Sequence, residues 1–369
     1  MIYLDFGATS LIKPPGVARA MGQALRTCAN PGRGGYREAM NAANRVFACR
    51  EEAASLFDCR PEQVVFTSNC THGLNIAIRS LVDPGDRVVV TGFEHNAVVR
   101  PLYALGAEMI VAGRKLFDWE DTLSRFEDAL KQKPKAAVFT HVSNVFGYIL
   151  PVEEMASLCR DRGIPFVLDA AQSAGSIPLS MEKLGAEFIA MPGHKGLLGP
   201  QGTGLLLCRQ EGRPLLYGGT GGESTLRGMP EYLPERLEAG TMNVPGISGL
   251  AEGLRFLRGR DLAALGAEEA RQARVCSSAM EKLGLRVFRG QHQGGTVSFV
   301  PEGDCEEFAR HLACRGIAVR AGLHCAPLAH ESAGTLETGT VRVSFGWNAD
   351  NSQSRGILRE IAAIVGRKS

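Results

Sequence analysis

Residues 164–172 read Ile164-Pro165-Phe166-Val167-Leu168-Asp169-Ala170-Ala171-Gln172. An apolar run ends there in a carboxylate. The run is short and has no polar face, as expected of a strand buried on both sides in a parallel sheet. Working outward from this strand (residues 165–169), similar runs occur at 64–67, 87–91, 136–141, 187–191 and 204–208. Between them lie helical patterns at 41–56, 71–79, 119–131 and 152–162, and a short one at 181–184. Short apolar strands alternating with helices predict βαβ units and an α/β fold around a mainly parallel sheet.

The rhythm stops at residues 209–246, which are rich in Gly, Pro and Arg. We read them as a long excursion. Beyond it, 251–286 is helical and strands are expected at 296–300, 317–320 and 341–345. Helices are expected at 305–314 and 352–366. This is a smaller α+β lobe. The expected division is a large domain of residues 15–250 and a small domain of 1–14 with 251–369. No internal repeat or low-complexity segment is present.

The composition fits that reading. The chain has 369 residues, 44% hydrophobic and 22% charged, with a net charge of +2. That balance excludes a disordered chain and carries no nucleic-acid or membrane-surface signature. No apolar run reaches the length of a membrane span, and no secretory leader pattern opens the sequence. Ten cysteines occur with no Cys-x-x-Cys pair and no zinc-like His spacing, so no metal site is expected. The thiols are expected to stay reduced in the cytoplasm, most of them as small core residues. Glycine is in excess, 44 residues in clusters, which points to loops where backbone turns tightly or approaches a ligand.

Ligands of open parallel sheets bind beyond the carboxyl ends of the strands. Five such ends carry polar groups. Thr67-Ser68-Asn69-Cys70-Thr71-His72-Gly73 opens a helix and offers an anion cradle, or an ordinary N-cap. Glu94-His95-Asn96 and Ser143-Asn144 follow two further strands and, each taken alone, read more readily as turns or satisfied polar residues. Asp169 is costly in its apolar setting unless paired with a metal, an arginine or a protonated ring nitrogen, and an N-cap is the plain alternative. Gly193-His194-Lys195-Gly196 places a lysine among glycines. It is either a solvated loop residue or an amine with a lowered pKa suited to Schiff-base chemistry. Cradle, acid, histidine and lysine together match the needs of pyridoxal phosphate.

With these pieces the sequence resembles the cysteine desulfurase and selenocysteine lyase branch of the class V aminotransferase family, over nearly the whole chain. Further matching pieces are Tyr3-Leu4-Asp5-Phe6-Gly7-Ala8-Thr9, Asn30-Pro31-Gly32-Arg33-Gly34-Gly35, Val142 to Gly147, Glu238-Ala239-Gly240-Thr241 and Arg320-Ala321-Gly322-Leu323-His324-Cys325. The resemblance implies a fold type I pyridoxal-phosphate enzyme with a seven-stranded sheet in its large domain. It implies Lys195 as the Schiff-base lysine, Asp169 on the pyridinium nitrogen, Gln172 on the ring hydroxyl and His95 stacked on the ring. Thr71, the N–H of His72 and His194 would hold the phosphate. Thr241 would reach the phosphate of a second subunit in a homodimer. Asn144 and Arg342 would take the substrate carboxylate, although Arg342 alone reads as a surface strand residue.

Cys325 decides the reaction. Its flanks are not apolar, and Arg320 and His324 lie nearby, a setting that favours thiolate. The resemblance implies cysteine converted to alanine, with a persulfide left on Cys325 for an acceptor protein. Neighbours on an extended chain point apart, so His324 is not assigned as the base. Selenocysteine or cystine lyase and aminotransferase activities stay open. A nucleotide-binding scaffold is weak, because no phosphate-loop motif occurs. Two departures stand out: Pro192 where the family has a phosphate-binding serine, and Phe6-Gly7 inside the usual Asp-Asn-Ala-Ala-Thr. Phe6 is expected to reshape the substrate mouth.

Overall fold

The computed structural model describes residues 1–32 and 34–366. Arg33, part of one matching piece, lies outside the described residues. The chain opens with β1 (Ile2–Tyr3), α1 (Pro15–Thr27) and α2 (Arg37–Phe57). Then come β2 (Val64–Thr67), α3 (Cys70–Leu81), β3 (Arg87–Thr91), α4 (Asn96–Ala104), β4 (Glu108–Ala112) and α5 (Trp119–Leu130). β5 (Ala136–Thr140), α6 (Val152–Asp161), β6 (Phe166–Asp169), α7 (Met181–Leu184), β7 (Phe188–Pro192) and β8 (Gly204–Cys208) complete the first lobe's alternation. The second part holds α8 (Val244–Arg258), α9 (Leu262–Lys282), β9 (Arg286–Phe288), β10 (Thr296–Val300) and α10 (Cys305–Cys314). It ends with β11 (Ile317–Ala318), β12 (Arg320–Gly322), α11 (Pro327–Ala333), β13 (Thr340–Ser344) and α12 (Asn351–Val365).

Seven strands form the main sheet in the order β2-β8-β7-β6-β5-β3-β4. β8 runs antiparallel to both neighbours, and the remaining pairs are parallel. β5 and β8 are buried at every position, which is why they read as unbroken apolar runs. Two apolar layers cover the faces, one centred on Phe139, Phe166 and Leu205, the other on Leu74, Val88 and Leu206. β4 escapes the sequence reading. It is an edge strand, and four of its five residues keep some exposure.

The excursion expected at 209–246 ends at residue 243, just before α8 begins, and up to there it carries only a 3-10 turn, Glu235–Leu237. The expected helix at 251–286 is two helices. α8 begins earlier, capped by Asn243 on Gly246 N–H, and runs through the expected boundary at 250/251. Its Leu254 and Leu257 belong to the large core. The α+β lobe has its own core around Leu4, Val297, Phe299, Val341 and Ile357. Its four-stranded antiparallel sheet runs β12-β13-β10-β9. The single strand expected at 317–320 divides in two. β11 pairs with β1, whereas β12 joins β13, so the first residues of the chain are stitched into the small lobe. Among the described residues, no helix is long and apolar enough to cross a membrane, and no group of three His, Cys, Asp or Glu side chains is placed to hold a metal ion.

Candidate active site

The carboxyl ends of β6 and β7 supply the floor of the site. Asp169 ends β6 and is 2% exposed. Its Oδ1 accepts the N–H of Ala171 (2.9 Å) and the Cys70 thiol (3.5 Å), and Oδ2 has no protein partner. Burial raises the Asp169 carboxyl pKa, with Lys195 and these two donors pulling the other way. A buried carboxylate with one free oxygen requires a cationic or protonated partner. Lys195 stands in the turn after β7. Burial first, then the Arg342 cation, lower its amine pKa, while Cys70 and Asp169 act in the opposite sense. The turn is built on glycine. A Cβ on Gly193 would lie 2.1 Å from Thr203 Oγ1, and one on Gly196 would lie 2.2 Å from the Ala174 carbonyl.

His194 contributes in two ways. Its carbonyl accepts from Ser10 N–H (3.0 Å), Ser10 Oγ (2.9 Å) and Thr9 Oγ1 (3.1 Å), and its Nδ1 lies 3.1 Å from Thr9 Oγ1. Burial lowers its imidazole pKa to about 4. His95 caps α4, and its Nδ1 accepts the Ala97 N–H at 3.0 Å, which leaves the ring proton on Nε2. Burial, Lys195, Arg100 and Arg342 bring its pKa down to about 4, so the ring is neutral at physiological pH. At the start of α3, Asn69 caps the helix by accepting the His72 N–H at 2.9 Å. That N–H is therefore engaged by its own cap. The remaining first-turn N–H groups, beside exposed Thr71, have no partner within the helix. Gln172 donates to the Gly7 carbonyl at 3.0 Å.

The opposite wall comes from the small lobe. Arg342 is 2% exposed, so it is not the surface strand residue that its sequence setting allows. Nη1 donates to the Asn144 carbonyl (3.0 Å) and Nη2 to Asp5 Oδ1 (2.8 Å), and Nε is buried without a partner. Asn144 Nδ2 donates to the His324 carbonyl at 2.7 Å, and Asn96 N–H donates to the Cys325 carbonyl at 2.7 Å. The cysteine loop is thereby fastened beside His95. Six of the ten thiols are buried, whereas Cys325 and Cys314 are exposed. Only Cys325 of these two stands at the site.

A family model described as aminotransferase class-V matches residues 2–354. The chain belongs to the class V aminotransferase family. Within the family its likeness to cysteine desulfurases runs the length of the chain. A probable cysteine desulfurase of Methanothermobacter thermautotrophicus is 33% identical, covering 99% of this chain and 95% of the relative. One from Pyrococcus abyssi is 32% identical over 94% of this chain and 89% of the relative. Among solved structures, the apo cysteine desulfurase of Thermococcus onnurineus superposes with a TM-score of 0.92 at 32% identity, covering 99% of this chain and 95% of that one. An Escherichia coli cysteine desulfurase bearing an S-sulfonic acid gives 0.84 at 27%, with the same coverage.

For a class V chain, one further placement differs from the sequence expectation. His324 and Cys325 are not on extended backbone. Both adopt left-handed φ, 49° and 56°. His324 is still unsuited to act as a base. Its ring is held against Thr340, and burial together with nearby Arg342 drives its pKa down to about 2. Phe6 is buried against Tyr3 and Gly346, and lines a cavity of about 350 Å³ between the lobes together with Lys195 and Glu269. Thr241 is exposed and lines a surface cavity with Ser68 and His72 of its own chain. Asp5, Cys70 and Glu94 have no role assigned by the sequence pattern, yet all three stand at the site. Asp5 and Glu94 were visible as lone acids beside apolar runs, but Cys70 looked like any core cysteine.

Proposed function

We propose that the protein is a pyridoxal-phosphate-dependent cysteine desulfurase, acting in the cytoplasm as a homodimer, with the large domain extended through α8 before the small one begins. The observation that carries this reading is an exposed Cys325 pinned by its own carbonyl to the helix that starts at His95. The donor set suits the cofactor. Asp169 Oδ2 is free for a protonated ring nitrogen, Gln172 is near for the ring hydroxyl, and neutral His95 offers a face to the ring. Thr71, the first turn of α3 and His194 would hold the phosphate. Thr241 serves the site of the second subunit.

Pyridoxal phosphate, when bound, supplies the electron sink for charge that develops at the substrate Cα. The protein does the rest. Arg342 and Asn144 hold the substrate carboxylate through charged and amide N–H donors. Lys195, its amine pKa lowered by burial, takes the Cα proton. The Cys325 thiolate attacks the substrate sulfur. An S–S bond forms as the Cβ–S bond breaks, and its electron pair passes to carbon, which takes up a proton and leaves within alanine. The substrate's sulfur stays on Cys325 as a persulfide for an acceptor protein.

The test is product analysis with L-cysteine. Alanine and sulfide should appear in equal amounts with reductant, and intact mass should show one extra sulfur on the wild type and none on Cys325→Ala. Full desulfurase turnover by Cys325→Ala would overturn the assignment. Retention by that variant of activity on selenocysteine alone would redirect it to a selenocysteine lyase.

A further inference from the structure

Arg320 and Arg342 are direct cross-strand partners in the antiparallel pair β12–β13. Like charges in that position repel. Asp5 lies between them. Its Oδ1 accepts from Arg342 Nη2 at 2.8 Å, and its Oδ2 accepts from Arg320 Nη2 at 2.9 Å and Nε at 3.1 Å. The backbone of Asp5 is held too, by a bridge to Ser344, while Gly7 N–H donates to Ser344 Oγ at 2.8 Å. We propose that Asp5 is a positioning residue for substrate binding, fixing the Arg342 guanidinium so that its free N–H groups meet the substrate carboxylate. The inference rests on the reading of Arg342 as the carboxylate clamp.

Charge and geometry support it. Two guanidinium groups and one carboxylate leave a single positive charge, the complement of one substrate carboxylate. Arg342 is the buried member, and its Nε has no partner. Arg320 has a side chain 52% exposed, so water screens the outer end of the cluster. The guanidinium cannot swing away on its other side. Asn144 holds Nη1, and Gly7 packs so closely that a Cβ there would lie 3.1 Å from Arg342 Cζ. Without Asp5, Arg342 would lose the charged acceptor that sets its plane, and it would face Arg320 unscreened.

The test uses holoenzyme and reads the visible absorption of the bound cofactor during titration with L-alanine, and with ethylamine, which has the amine but no carboxylate. For Asp5→Asn we expect L-alanine binding weakened, and the cysteine KM raised, about tenfold, the scale of one charge-assisted hydrogen bond. Ethylamine binding and kcat should stay near wild type. Unchanged L-alanine binding, or an equal loss for ethylamine, would overturn the positioning role. Asp5→Glu keeps the charge should the amide fail to fold. It should weaken L-alanine but not ethylamine, and wild-type binding of both would count against the proposal. Arg342→Gln tests the clamp separately. If that variant binds L-alanine normally, the clamp reading fails whatever Asp5→Asn does.

Discussion

The floor of the site and the cysteine loop are made differently. The floor is the set of strand ends at Asp169 and Pro192, continued into the turn that carries Lys195. Each strand there is hydrogen-bonded on both sides, and the glycines interlock so tightly that a Cβ would collide with backbone. The loop at His324 and Cys325 has two consecutive non-glycine residues in left-handed backbone, which costs on the order of 1–3 kcal/mol each. It is held by two contacts from the large lobe, through Asn96 and Asn144, and by the His324 ring against Thr340. The floor is a rigid chemical base, whereas the loop is a strained arm whose position depends on tethers.

Removing one group from each half should separate their roles most sharply. Lys195→Ala should abolish turnover, by on the order of 10³-fold or more, because no other amine replaces it at Cα. The absorbance band of the lysine-linked cofactor should vanish with it. Cys325→Ala should cut desulfurase turnover comparably, yet leave that band and the response to L-alanine intact. Loss of cofactor binding in Cys325→Ala would mean that the loop also builds the floor. Asn144→Ala should have the next largest effect. It frees the His324 carbonyl, unties the loop and removes one donor to the substrate carboxylate, so kcat for cysteine should fall about tenfold and KM should rise while cofactor binding holds. Stopped-flow absorbance and intact-mass persulfide formation would follow the two halves separately.

The same contrast governs how much could be read from sequence. The floor was legible because burial on both faces forces apolar runs, and a polar residue at the end of such a run is conspicuous. Asp169 and Lys195 stand out on those grounds. β4 was missed because an edge strand is only half enclosed. The loop was legible only as a motif. Nothing local in Arg320-Ala-Gly-Leu-His-Cys announces left-handed backbone at His324 and Cys325, since non-glycine residues seldom adopt it. Its tethers come from Asn96 and Asn144, each far away in sequence. Asp5 stands out as an acid beside an apolar run, but its pairing is hidden for the same reason, because its two arginine partners lie 315 and 337 residues away.

A smaller effect tests the seam between the halves. Gly7 touches Arg342, and Ala8 and Thr9 follow towards His194. Gly7→Ala would press a methyl against the guanidinium at 3.1 Å, a distance that requires a shift of a few tenths of an ångström. The cysteine KM should rise about two- to threefold with kcat and cofactor absorbance unchanged. A fall in kcat without a change in KM would show that the strain is passed to Lys195 instead.

The smallest effect is in the pH dependence of stability, and it belongs to the floor. β3 and β5 pair only through Val88–Ala136 and Val89–Ala137, then splay apart. Glu94 fills the fork. Its Oε1 accepts from Thr91 Oγ1 (2.6 Å), Thr91 N–H (3.2 Å) and Thr140 N–H (3.1 Å), and its Oε2 is buried without a partner. Burial raises its carboxyl pKa to about 8, with Asp169 adding to the rise. Because the folded pKa exceeds the unfolded one, the folded state keeps a proton that the unfolded state has released. The stability contribution is full below the unfolded pKa and is lost as pH climbs towards 8. His95 and His194 act in the opposite sense, but their loss falls below pH 6.5, where the unfolded imidazoles charge first. Between pH 7 and 8, the raised acids Glu94 and Glu269 therefore set the slope contributed by these four groups. Glu94→Gln should make Tm fall less steeply across that interval than in the wild type. An unchanged slope, with Glu269→Gln flattening it instead, would move the proton from the floor to the cavity between the lobes.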